Sequence, residues 1–217
     1  MGRMIGSSSI SFDKPPFIIE GASIVGQKEG DGPLGKLFDV VEQDPMLGQE
    51  TWEEAESLLQ KEAIQKLLFK AGMSKEEIRY IFGGDLLGQL IATTFGILEF
   101  EVPFFGLYGA CSTMGEALSL GAVMVEAGNA DNVIAMASSH FASAERQFRF
   151  PLAYGNQRPY AATWTVTGCG AVIISTKKGF AKITGITTGK IVDFGVKDAQ
   201  NMGACMAPAA ADVIYQH

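Results

Sequence analysis

The chain is poor in the residues that most enzymes and nucleic-acid-binding proteins rely on. It has two histidines and three cysteines in 217 residues, and its 17 Lys and Arg against 24 Asp and Glu leave a net charge of −7. That balance removes the cationic footprint needed by a phosphate backbone, so a nucleic-acid partner is excluded. Cys111, Cys169 and Cys205 are an odd number at wide spacing with no metal-knuckle pair, which fits a reducing, cytosolic-type compartment better than a disulfide framework. The opening MGRMIGSSSI has a Gly/Ser run where a signal peptide would carry its apolar core, so it predicts a frayed end or a strand. No apolar run approaches the roughly 20 residues of a spanning helix. The most apolar stretch, 114–125, is interrupted by Glu116. Peripheral docking onto a membrane-embedded partner leaves no such mark and stays open. Phosphate-loop, HExxH and GxSxG patterns are all missing.

What is present is core-forming material, 47% hydrophobic, enough for one large layered domain. Apolar, β-branched runs bounded by turn residues predict strands at 17–25, 78–82, 103–108, 132–137, 168–174 and 181–186. The box Thr51-Trp52-Glu53-Glu54 opens a helix whose apolar residues, from Ala55 and Leu59 to Leu67 and Leu68, recur at helical spacing until Gly72. Ser74 with Glu77 forms a second box. Further helices are expected at 90–98, 112–127 and 207–215, and the apolar character of 112–127 on nearly every face predicts an element buried all round. Turn formers between 26 and 50 predict a long surface excursion. Strands near 78, 103 and 132 separated by helices give an α/β fold with a parallel sheet, in which ligands gather beyond the strands' carboxyl ends.

Cys111 follows the strand at 103–108 and precedes the helix at 112–127, where a helix dipole would favour thiolate. The alternative is a small buried hydrophobe, the usual state of a free cysteine. Cys169 and Cys205 read as packing residues. Asp85 closes the strand at 78–82, and His140, after Ser138-Ser139, could reach the same carboxyl-end cleft; its alternative is a hydrogen-bonded loop histidine. Arg146 and Arg149 concentrate positive charge in an acidic chain, as Arg158 does further on, and guanidinium forks suit carboxylates. A solvated helix face is the competing reading.

Gly109-Ala110-Cys111-Ser112-Thr113, the small-residue helix after it and Gly-Cys-Gly-Ala-Val-Ile-Ile-Ser at 168–175 resemble the first half of thiolase-like condensing enzymes. Gly-Asp-Leu-Leu at 84–87, Ser-Ser-His with Ala-Glu-Arg-Gln-Phe-Arg at 138–149, and Met-Ala-Pro-Ala-Ala-Ala-Asp at 206–212 are similar to one branch, the stage V sporulation protein AD family of spore-forming bacteria. The resemblance implies a layered αβαβα thiolase-like fold of two similar halves. Residues 1–178 would be the first half and 179–217 the beginning of an incomplete second, so the chain is expected to be truncated relative to the family.

It further implies a component that binds dipicolinic acid (pyridine-2,6-dicarboxylate), takes part in its movement into spores, and is held at the spore inner membrane by other proteins of the transport assembly. No catalytic role is expected, because the residues that complete a condensing-enzyme site come from the second half. Cys111, Asp85, His140, Arg146 and Arg149 are the expected ligand-lining residues. No cofactor is expected, although a dianion beside Asp85 would need the carboxyl protonated or a cation such as calcium between them. The rival is a Cys111-dependent acyltransferase or β-ketoacyl synthase. A bare scaffold with an incomplete pocket is a third reading, and core surface exposed by a missing half predicts self-association, for instance as a homo-oligomer.

Overall fold

The computed structural model describes residues 2–148, 165–198, 201 and 203–217. In chain order the elements are β1 (Arg3–Ile5), β2 (Ser9–Ser11), β3 (Phe17–Gly26), α1 (Gln27–Gly30), β4 (Val40–Glu42), α2 (Trp52–Ala71), β5 (Tyr80–Gly84), α3 (Ile91–Ile97), β6 (Phe104–Gly106), α4 (Thr113–Glu126), β7 (Asn132–Ser139), α5 (Phe141–Phe148), β8 (Gly168–Ser175), β9 (Ala181–Lys182), β10 (Gly185–Thr187) and α6 (Gly203–Gln216). A seven-stranded sheet in the order β4-β3-β8-β7-β5-β6, with β9 on β3, forms the centre. β4 runs parallel to β3, and β5 runs parallel to both β6 and β7; β8 is antiparallel to β3 and β7. The five parallel strands therefore end on one edge, and the expected parallel sheet is a mixed one because β8 returns between β3 and β7.

Helices cover both faces. On one face α2 packs Leu59, Ala63, Ile64 and Leu67 against Ile24, Ile81, Ile134 and Ile173; on the other, α4 sets Ala117 and Val125 against Phe82, Val133 and Ile174. Each fully buried Leu, Ile or Val contributes roughly 1.5–3 kcal/mol by leaving water. The local chemistry fixes α2's ends. Thr51 Oγ1 accepts from the Glu54 amide at 3.2 Å, the Glu54 carboxylate accepts from the Thr51 amide at 3.0 Å, and Gly72 closes the helix at φ 61°.

Two expectations change. The stretch 181–186 is not one strand: β9 pairs with β3, and β10 pairs with β2 in a separate three-stranded sheet, the chain crossing between them at Ile183 and Thr184. Helix α4 is not buried all round, since Gly115 and Leu120 are exposed and only Thr113, Ala117, Gly121, Ala122 and Val125 are buried. Its outer face carries Glu116, Ser119 and Glu126 beside Gly115 and Val123. Among the described residues no helix is long and apolar enough to cross a membrane.

Candidate ligand site at the carboxyl edge of the sheet

The parallel directions of β7, β5 and β6, which are neighbours in that order, bring His140, Asp85 and Cys111 to the same edge. The Leu107 amide donates to Gly83 O at 2.8 Å, and Gly88 packs against the Tyr108 ring, so the turn after β5 lies on the segment that leads to Cys111. Side chains at Gly83 or Gly84 would collide with Met136 O or Leu107 O, which is why two glycines end this strand.

Position alone does not make these residues ligand contacts. Asp85 is buried, and both its oxygens are engaged: Oδ1 accepts from the Leu87 amide at 3.1 Å, and Oδ2 from the Thr93 amide at 3.0 Å and the Thr93 hydroxyl at 2.8 Å. It fastens the start of α3 to the end of β5. His140 is fully buried; its Nδ1 accepts from the Ala142 amide at 3.2 Å, which leaves Nε2–H to donate to Pro45 O at 2.7 Å. Burial holds this imidazole below its ordinary pKa, so it is a neutral structural group joining α5 to the 43–47 segment. The cleft-facing histidine expected from the sequence is thus turned inward, by a carbonyl 95 residues away.

Cys111 is exposed. It sits in a single 3-10 turn, Ala110–Ser112, ahead of α4 rather than on its cap, and Ala110 occupies the left-handed region at φ 47°. Ser112 Oγ donates to the Glu116 carboxylate at 3.0 Å, so an acidic side chain already attends the first turn of α4. Arg146 pairs with Glu53 on α2 and lies over the Trp52 ring at 5.8 Å, which directs it to the start of α2. Arg149 and Arg158 lie outside the described residues. Cys169 is at the sheet centre, opposite both Ile24 and Ser138, and burial pushes its thiol pKa far up, in keeping with packing.

A cavity of about 270 Å³ opens at this edge beyond the ends of β3 and β4, lined by Lys28, Glu29, Pro45, Phe141 and Thr167 among others. A larger concavity of about 820 Å³ lies at the opposite, amino-terminal edge around Glu76, Arg79 and Asp131, away from every candidate residue. No cluster of three His, Cys, Asp or Glu suited to a metal occurs among the described residues.

Sequence reasoning missed the most unusual group of the region, Glu56. It lies on the buried face of α2, 2% exposed, and accepts hydrogen bonds from the hydroxyls of Ser138 at 2.8 Å and Ser143 at 2.9 Å. Burial, reinforced by the Asp85 charge and opposed by the two serines, pushes its pKa up to about 7. On the next turn Gln60 Nε2 donates to Ser138 Oγ at 2.6 Å and Thr93 Oγ1 at 3.1 Å, which joins Glu56 to the Asp85 cluster.

Comparison with known proteins places this architecture. The solved structures it resembles include a priming β-ketosynthase of the R1128 polyketide pathway (TM-score 0.50, 16% identity, 81% of this chain and 52% of that one) and the acyltransferase ChlB3 (TM-score 0.51, 17% identity, 77% and 52%). At such identities the likeness shows the thiolase-like fold and nothing of activity. Stage V sporulation protein AD of Bacillus subtilis (strain 168) is 42% identical over 215 residues, 99% of this chain and 64% of that protein's length. The model of the family Stage V sporulation protein AD matches residues 6–217, and the chain belongs to that family.

Proposed function

We propose that this chain binds dipicolinate at the carboxyl edge of its sheet, without turnover, as part of the spore's dipicolinate transport assembly at the inner membrane. Membership in a sporulation family supports the setting. The observation that favours binding over catalysis in this chain is the state of His140: buried and neutral, with both ring nitrogens bound inside the chain, it is not available as a base to Cys111, so among the described residues this edge supplies the thiol with no histidine base. A small planar dianion needs polar donors and a flat apolar wall, and the edge offers Lys28, Thr165, Thr167 and Phe141 around a cavity of suitable size. Cys111 stands exposed on the same edge beyond β6, outside the cavity's lining, whereas Asp85 and His140 hold the local structure of the edge. Calcium accompanies the ligand if the acidic residues of this edge face it. The chain spans 64% of its curated relative, and the whole protein's partners are proposed on the same footing.

The rival reading, acyl transfer through Cys111, is favoured by that residue's exposure in a fold shared with acyltransferases. Calorimetric titration with dipicolinate, with and without calcium, together with mass spectrometry after incubation with an acyl thioester, separates the two. Saturable dipicolinate binding and an unmodified Cys111 support the proposal. An acylated Cys111 with no dipicolinate binding overturns it.

A further inference from the structure

The side chains of Asp85, Thr93, Gln60, Ser138, Glu56 and Ser143 form one continuous buried chain of hydrogen bonds beneath the carboxyl edge. It begins at the turn after β5 and ends at the first turn of α5, where Ser143 Oγ also donates to the His140 carbonyl at 3.1 Å. We propose that Glu56 is the positioning residue of the ligand site: it holds the turn after β5 and the β7–α5 junction in their binding arrangement, and it does so best when it carries a proton. The inference rests on the reading of this edge as the ligand site.

The bonding pattern supports the proton independently of any titration. With Glu56 ionised, both serines donate to it, Thr93 donates to Asp85, and Gln60 spends its amide hydrogens on Ser138 and Thr93. Ser143 is then one hydrogen short, because its single hydroxyl hydrogen faces both Glu56 Oε2 at 2.9 Å and the His140 carbonyl at 3.1 Å. A proton on Glu56 supplies it: the acid donates to Ser143 Oγ, the Ser143 hydroxyl donates to the His140 carbonyl, and Ser138 still donates to the other Glu56 oxygen.

Among the described residues, the groups facing Glu56 add no positive charge to hold it ionised. The β5 turn brings Asp85, β8 brings the neutral thiol of Cys169, and the β7–α5 junction brings neutral His140. On α5, Glu145 bonds to Thr165 and Arg146 is committed to Glu53. α3 has no titratable residue, and the one acid of β3, Glu20, pairs with Lys70. An ionised Glu56 also sets a buried negative charge behind a dianion's site, so ligand affinity falls as the proton leaves.

The test compares the full chain with Glu56→Gln and Glu56→Ala. Infrared difference spectra across neutral pH should show a protonated-carboxyl band that titrates in the wild type and is missing from Glu56→Gln. Hydrogen exchange at the amides of Leu87, Thr93 and Ala142 should rise in Glu56→Ala and stay low in Glu56→Gln. Wild-type affinity for dipicolinate should fall about fivefold or more between about pH 6 and about pH 8, and hold level in Glu56→Gln. No titrating band, or the same pH profile in wild type and Glu56→Gln, overturns the proposal. If the wild type binds no dipicolinate at any pH, the ligand reading fails, and the infrared and exchange arms still decide the role of Glu56.

Discussion

Replacing Glu56 by glutamine should stabilise the protein at alkaline pH and leave it nearly unchanged at acidic pH. The carboxyl titrates near 4.5 when unfolded and near 7 in the fold, where burial and the Asp85 charge disfavour the anion. Below the unfolded value both states are protonated and burial of the neutral acid costs nothing extra. As pH rises from 4.5 to about 7 the unfolded chain has released its proton while the folded chain retains it, so stability falls throughout that window and then levels off. At about 1.4 kcal/mol per pH unit the loss is about 3 kcal/mol. Glutamine keeps the shape and hydrogen-bonds both serines, one through its carbonyl and one through its amide, without a charge. At about pH 8 Glu56→Gln should therefore exceed the wild type by about 2–3 kcal/mol, or roughly 5–10 °C in melting temperature for a chain of this size. His140 runs the other way: its depressed pKa gives stability that is present above the unfolded value and lost as pH falls below it. The wild-type curve mixes both effects, and the difference between the two proteins isolates the carboxyl. Chemical unfolding followed by circular dichroism at several pH values reads it. A difference that does not change with pH would mean that Glu56 does not hold its proton in the fold.

Three other outcomes follow from the packing. Gly83→Ala places a methyl 2.4 Å from Met136 O in the middle of a parallel pair, so it should cost about 1–3 kcal/mol by calorimetry. Asp85→Ala should lower stability by roughly 2–3 kcal/mol and expose the Leu87 and Thr93 amides to exchange, whereas Cys111→Ala, at an exposed site, should change stability by less than about 0.5 kcal/mol. Any loss of ligand affinity in the first is then a loss of the edge's local structure, and in the second a loss of contact. Phe95 and Leu98 are each 67% exposed on one side of the fold, so sedimentation velocity should show concentration-dependent association that Phe95→Ser with Leu98→Ser weakens.

The elements that position the edge were legible because their signals are local. The Thr51 and Ser74 boxes, Gly72 and the paired glycines before Asp85 stand where the periodic pattern says they should. Direction in the sheet was less so, since nothing in the run 168–174 distinguishes an antiparallel strand buried on both faces from a parallel one. The placements of Asp85 and Cys111 after strand ends were also readable; the inward turn of His140 was not, because Pro45 is remote in sequence. Glu56 did leave a trace. The buried positions of α2 come in pairs, Ala55 and Glu56, Leu59 and Gln60, Ala63 and Ile64, Leu67 and Leu68. Two polar residues thus stand in register with Ile64 and Leu68 on a core-facing stripe, a pattern that requires buried partners.

Amide chemical-shift mapping with dipicolinate on the full chain locates the binding site residue by residue. Binding at the carboxyl edge predicts saturable shifts confined to that edge: the cavity segments 26–29, 43–45 and 165–167, the start of α5, the turn after β5 and the segment 107–113. Shifts around Glu76, Arg79 and Asp131 at the opposite edge, or none in a folded chain, would contradict it.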